Sequence, residues 1–211
     1  MLDPAALCIA PGRAAWAAYL DVYVLSADGS LLDACLLAAL GALSDAALPA
    51  VRVTRDGNVE RAGAGGGSAA AAADAEAASA GARRLELRRL PVALTCGLYV
   101  PPPDAAAATA EGDAARRAGA GGTPGTAARL VADPNREEEP MMASSITVVV
   151  DGSGADASVL AALSSGGGGA SAPGAPLLTR CVDAARARHR EVAGLLAKAV
   201  ARSHAAAEAQ G

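Results

Sequence analysis

Residues 129–142 read RLVADPNREEEPMM, and this stretch decides more about the chain than any other. The short apolar run Leu130, Val131, Ala132 reads as a strand end. The residues from Pro134 to Pro140 read as a polar turn. Asp133 therefore sits where a strand gives way to a loop, with Glu139 six residues further on. Two carboxylates held close together on such a loop can bind a divalent cation or move a proton. A solvated acidic loop is the plainer reading of the same residues.

Working outward, residues 146–150 (ITVVV) are β-branched and predict a strand. DGSG at 151–154 follows as a hairpin turn, with 157–163 as a weaker return strand. Upstream, VALTCGLY at 92–99 and the alternating LELRRL at 85–90 read as strands. Residues 14–25, AAWAAYLDVYVL, predict a long strand, and SADGS at 26–30 a turn. Residues 30–44 predict a helix with Ser30 as its cap and Asp33 in a capping-box variant. That helix is apolar nearly all round, so burial is expected. Pro49 ends this unit and 51–53 is a short strand. Residues 177–201 predict a closing helix, with Val182, Ala185, Val192, Leu196 and Val200 at helical spacing. The order is strand, helix, strand, an antiparallel group, then a helix, which is α+β or mixed α/β with helices covering a sheet.

Three tracts interrupt this pattern. Residues 56–82 and 101–128 are low in complexity, and 164–176 is Gly-rich. The first two cannot bury enough area to offset their ordering entropy and are expected to be disordered insertions. The ordered blocks are then about 14–54, 84–100, 129–163 and 176–203 of one partial domain spanning 1–211. The 211 residues are 52% hydrophobic, but with no Phe, one Trp and three Tyr much of that is alanine, so a modest core is expected. A net charge of −4 argues against autonomous nucleic-acid binding, which needs a basic face for phosphate; a local basic strip stays open. Cys8, Cys35, Cys96 and Cys181 form no CxxC pair, so reduced intracellular thiols are expected in place of zinc or a disulfide framework. The start lacks a signal-peptide pattern, and Arg13, Asp21, Asp28 and Asp33 interrupt the best membrane-span candidates.

Four blocks then resemble one family in this order: WAAYLDVYVLSADGSLLDACLLAALGAL (16–43), RRLPVALTCGLY (88–99), LVADPNREEEPMMASSITVVVDGSG (130–154) and RCVDAARARHREVAGLL (180–196). Together they resemble RNase PH-fold proteins (ribosomal protein S5 domain 2-like), and among these the non-catalytic ring subunits of the eukaryotic RNA exosome. The D-x-DG-x-L-DA-C pattern and the ADP-x-x-EEE run are the most specific parts, and the piece from Arg188 to Val192 points to one subunit over its paralogues. The resemblance covers roughly half of the chain. Family members carry earlier strands and a helix before the strand at Trp16, so an N-terminally truncated fold is expected. They also tend to carry a Lys-Pro-Gly-Gly element where this chain keeps only the glycines at 164–169.

The resemblance implies a chemistry and a way of losing it. Active relatives cleave RNA by phosphate attack, using cationic groups for phosphate and acidic residues with a metal. A Thr-Arg pair follows the Asp-Gly in active members, and that arginine binds phosphate. Here the matching positions are Leu31 and Leu32. Asp133 and Glu139 match the catalytic carboxylates in place and spacing, with Glu139 standing in for an aspartate. Without the phosphate clamp they read as relics or as loop and interface residues; binding a cation or supporting RNA is the other reading. The implied protein is no enzyme and holds no cofactor. It pairs with related ring subunits and cap subunits while RNA threads the ring, in nucleus, nucleolus and cytoplasm. The alternative is a phosphate-dependent 3′-to-5′ exoribonuclease of the same fold, and a third possibility is a product with no stable fold. Among other residues, His189 reads as a helix-surface or packing residue and His204 as part of a frayed tail. Trp16 and Tyr19 read as core or interface anchors before base-stacking platforms. The basic face of the last helix reads as solvated, with RNA contact as the alternative.

Overall fold

The structure, a computed structural model, describes residues 2–54, 56–61, 79–80, 83–101, 128–152, 158–166 and 175–209. The chain divides into two compact units where one domain was expected. Met1–Val22, Ala38–Leu90 and Leu196–Gly211 make the first; Tyr23–Leu37 and Pro91–Leu195 make the second. Each has its own small hydrophobic cluster, as expected of alanine-rich sequence that buries little area per residue.

In the first unit β1 (Cys8–Ala10) pairs antiparallel with β2 (Ala14–Ala15). β3 (Ala47–Leu48), β4 (Val51–Val53), β5 (Val59–Arg61), β6 (Ser79–Ala80) and β7 (Arg83–Arg84) follow. They form one sheet in the order β5-β4-β6 and a separate β3-β7 pair. Ile9, Ala10, Val51 and Val53 are the buried cluster, with Trp16 packed against it. Three expectations are corrected here. The long strand over 14–25 is not formed: residues 16–30 carry no helix or strand, and Tyr19 and Leu25 are 91% and 97% exposed. Val- and Tyr-rich sequence favours a strand only where a half-buried pleated surface receives it. The alternation at 85–90 yields only a Leu2–Leu87 bridge. The tract 56–82, expected to be insertion throughout, supplies β5 and β6, both paired with β4; residues 62–78 lie outside the described residues, as does 102–127 of the second tract.

In the second unit β8 (Pro91–Tyr99), β9 (Arg129–Ala132), β10 (Ser144–Asp151) and β11 (Ser158–Gly166) form one antiparallel sheet, ordered β11-β10-β8-β9. The register sets Ile146 opposite Cys96 and Val148 opposite Leu94. Because strand side chains alternate, Leu94, Cys96, Ile146, Val148 and Val150 share one face. A 34-residue helix (Ala175–Glu208; α2 below) covers that face through Cys181 and Ala185. Within this unit its buried stripe is Cys181, Ala185, His189 and Val192, shifted from the expected one, and its small residues permit close approach to the sheet. β11 extends through Gly166, so the Gly-rich loop is shorter than expected; residues 153–157 and 167–174 lie outside the described residues.

The first helix, α1 (Leu31–Asp45), forms where the sequence predicts it. Its burial does not follow: only Ala39 and Leu40 are buried, while Leu31, Leu32 and Leu37 are exposed. A helix apolar all round presents more apolar surface than packs against it here. The architecture is α+β, with two α-helices and antiparallel sheets among the described residues. No helix among the described residues is long and apolar enough to cross a membrane.

Candidate functional site

The acidic stretch after β9 is an ordered turn. Asn135 Oδ1 accepts the Glu137 and Glu138 backbone N–H groups, each at 2.9 Å. Glu138 Oε2 in return accepts the Asn135 N–H at 3.0 Å. This reciprocal pair at three-residue spacing is a capping box, and a 3-10 turn (Glu139–Met141) continues from it. Glu138 thus closes its own turn.

Glu139 does something else. Its Oε1 accepts the Ser30 N–H at 2.8 Å, at the N-terminus of α1. Ser30 is buried, and its Oγ donates to the Pro134 carbonyl at 3.3 Å. A carboxylate here satisfies an otherwise orphaned backbone donor and faces the positive end of the helix dipole. Gly29 makes the approach feasible. Its φ is +83°, and a Cβ there would run into the Pro134 carbonyl oxygen and the Asn135 backbone. Only glycine combines that conformation with that proximity.

The capping box expected within α1 is therefore replaced. Asp33 does not reach back to Ser30. Its Oδ2 accepts the Thr95 N–H at 2.6 Å, and its Oδ1 accepts the Thr95 hydroxyl at 2.9 Å. Thr95 Oγ1 also lies 2.8 Å from Thr147 Oγ1 on the neighbouring strand. Asp133 completes the arrangement, donating its N–H to the Thr95 carbonyl at 2.8 Å. Its φ of +54° is one that aspartate tolerates better than most residues. Burial pushes the Asp33 carboxyl above its usual range and the Asp133 charge adds to that; the Thr95 hydrogen bonds and the Arg188 charge pull the other way.

Asp33, Asp133 and Arg188 line a cleft of about 210 Å³, with Gly29 and Ser30 at one wall and Leu37, Val92, Leu94 and Val192 at others. The fold thus brings Asp133 and Glu139 onto one ordered loop but gives them different tasks: Asp133 lines the cleft, Glu139 caps a helix. Leu32 lies in the first turn of α1, is 47% exposed and is not a wall of the cleft. Among the described residues no group of three or more His, Cys, Asp or Glu side chains is placed to hold a metal ion. Both Asp33 oxygens accept hydrogen bonds from Thr95, and Glu139 Oε1 accepts one from Ser30.

Sequence reasoning missed Asp33 as a strand anchor and Arg188 as a cleft residue. Asp33 sits inside the most specific motif, which was a usable signal; Arg188 is one of several arginines on its helix and had none. His189 is buried at 6%, and its Nε2 accepts the Gly152 N–H at 3.0 Å, so it is a packing residue and carries its proton on Nδ1 when neutral. His204 belongs to α2 rather than a frayed tail, with Nε2 3.6 Å from Asp45. All four cysteines are free.

An antiparallel sheet backed by one helix, with an acidic loop capping another, defines an α+β protein but no single activity. Comparison with known families narrows it. Residues 4–49 match domain 1 of the 3′ exoribonuclease family (RNase PH), and residues 123–187 match domain 2 of that family. With both family domains represented, the chain is an RNase PH-like protein. The first match begins upstream of the block at 16–43, and the block at 88–99 lies in neither match. No curated protein matches the chain.

Proposed function

We propose that this RNase PH-like protein is a non-catalytic structural subunit of an RNA exosome core ring, resembling the subunit called ribosomal RNA-processing protein 43. It supplies shape rather than chemistry, pairing with related ring subunits and cap subunits while RNA passes through the ring to a separate nuclease. The processes are ribosomal RNA maturation, RNA surveillance and messenger RNA turnover, in nucleus, nucleolus and cytoplasm.

The observation that carries this reading is Leu32. Where the resemblance implies a phosphate-binding arginine, an exposed leucine stands on the first turn of α1. An aliphatic side chain cannot donate to an oxyanion. The engagement of Glu139 with Ser30 supports the same reading. The second reading, a phosphate-dependent 3′-to-5′ exoribonuclease, draws on Asp33 and Asp133 facing one cleft. The test is the purified chain with its ring partners on 3′-labelled RNA, with and without inorganic phosphate. Assembly without phosphate-dependent release of nucleoside diphosphates is expected. Phosphate-dependent release abolished by Asp133→Asn would establish the enzyme instead.

A further inference from the structure

The cleft beside α1 has a chemistry of its own. Asp33 and Asp133 present two carboxylates to it against the single guanidinium of Arg188. Arg188 is itself offset by Glu191, 3.7 Å away on the same helix. Among the described residues neither Asp33 nor Asp133 has an ion-pair partner within 4.0 Å. Asp33 is engaged by Thr95, which leaves Asp133 as the carboxylate free to take a charged partner. The remaining walls are largely aliphatic, with Leu37, Val92 and Val192 among them.

Excess negative charge above aliphatic walls repels phosphate and attracts a cation with an apolar stem. At about 210 Å³ the space falls below the roughly 300 Å³ at which pockets for whole small molecules begin. A single long side chain fits that scale. Between the two cationic side chains, guanidinium is the better match. It meets a carboxylate through two parallel hydrogen bonds, and it is more weakly hydrated than ammonium, so it loses less on entering an apolar-walled cleft.

We propose that the cleft is a docking pocket for one arginine side chain of a partner polypeptide, its guanidinium on Asp133 and its methylene stem along Leu37, Val92 and Val192. The proposal rests on the reading of this chain as a subunit held among partner polypeptides. It names the chemistry of one such contact.

The probe is agmatine, which is arginine without its backbone carboxylate, titrated into the full chain while leucine and valine methyl resonances are followed. Saturable shifts at Leu37, Val92 and Val192 are expected. Asp133→Asn should weaken agmatine binding by about tenfold or more, the scale of losing a charge-assisted hydrogen bond. Asparagine tolerates the left-handed conformation at this position, so the variant should fold. Leu37→Lys, which places a cation from the chain itself at the cleft, should abolish binding while every carboxylate is kept. No methyl shifts, equal affinity in Asp133→Asn, or saturation of the same methyls by inorganic phosphate or magnesium would each overturn the pocket. A chain that binds agmatine as expected but never enters a ring overturns the ring reading and leaves the pocket standing. A chain that enters the ring but fails with agmatine does the reverse.

Discussion

Replacing Glu139 tests whether its carboxylate holds the fold or serves chemistry. Its bond to the Ser30 N–H is 2.8 Å long, and Ser30 is buried. In Glu139→Ala that N–H has no acceptor. A hydrogen bond to a charged group contributes about 1.5–3 kcal/mol, and a carboxylate at a helix N-terminus about 0.3–1 kcal/mol, near the low end where solvent screens it. Since Glu139 is exposed, a total loss of about 2 kcal/mol is the reasonable sum. In a chain of this length that corresponds to a fall in Tm of about 4–8 °C, read by circular dichroism at 222 nm. Glu139→Gln keeps an acceptor and should lose less than half as much. Glu139→Asp is the decisive variant. The resemblance implies aspartate here in active relatives, so a chemical role would tolerate it. A capping role would not, because the shorter side chain withdraws from Ser30, and Glu139→Asp should melt close to Glu139→Ala. If Glu139→Asp melts like wild type, or if Glu139→Ala leaves Tm unchanged while RNA turnover by the assembled complex collapses, the capping argument is wrong.

Four further outcomes follow from particular contacts. Gly29→Ala should cost at least about 2 kcal/mol in urea unfolding, because φ is +83° and the new Cβ meets the Pro134 carbonyl; an unchanged midpoint would contradict that packing. His189→Ala should lose about 1–3 kcal/mol by orphaning the Gly152 N–H, with His189→Gln recovering part of it; equal losses in both would show that the hydrogen bond contributes nothing. Burial, with Cys181 beside it, pushes the Cys96 thiol up to about 12 from the ordinary 9.0. The folded chain therefore holds a proton that the unfolded chain releases, and this contribution to stability should fall as pH rises from about 9 towards 12. A thiol-reactive dye should modify Cys8 and Cys35 in the native chain, and buried Cys96 and Cys181 only after denaturation; four equal rates would refute this burial.

What the sequence made legible was local. β10 is a β-branched run closed by a DGSG turn, β8 is a mostly apolar run ending just before three prolines, and α1 follows an Asp-Gly turn and a serine, so their existence could be read from a few neighbouring positions. The α+β class followed from their order. The carboxylates at Asp133 and Glu139 were legible as a pair, and the turn between them as polar. What was not legible depended on partners far along the chain. Asp33 meets Thr95 across 62 residues, and Glu139 meets Ser30 across 109. Nothing within a few residues of either carboxylate reports those contacts. Residues 16–25 failed for the same reason in reverse. Their Tyr and Val content describes a strand, but a strand is a pairing, and no ladder partner is present among the described residues.

Leu32 and Glu139 bear on one another because both stand at the same helix terminus. A helix N-terminus is a ready seat for an anion, since its backbone donors are unpaired and its dipole favours negative charge. Here the Ser30 donor is taken by the chain's own carboxylate, and the first turn offers leucines in place of a cation. An incoming phosphate would have to displace Glu139 and also approach Asp33 and Asp133 across the adjoining cleft. Restoring one element should then be insufficient. Leu32→Arg alone, assayed with the proposed ring partners, should release no nucleoside diphosphates from RNA, because the carboxylate still occupies the helix end. Pairing it with Glu139→Asp frees the Ser30 N–H and supplies the cation together, so any phosphate-dependent release should require both changes. Release by Leu32→Arg alone would mean that Glu139 does not guard the terminus and that one leucine is the whole difference from an active relative.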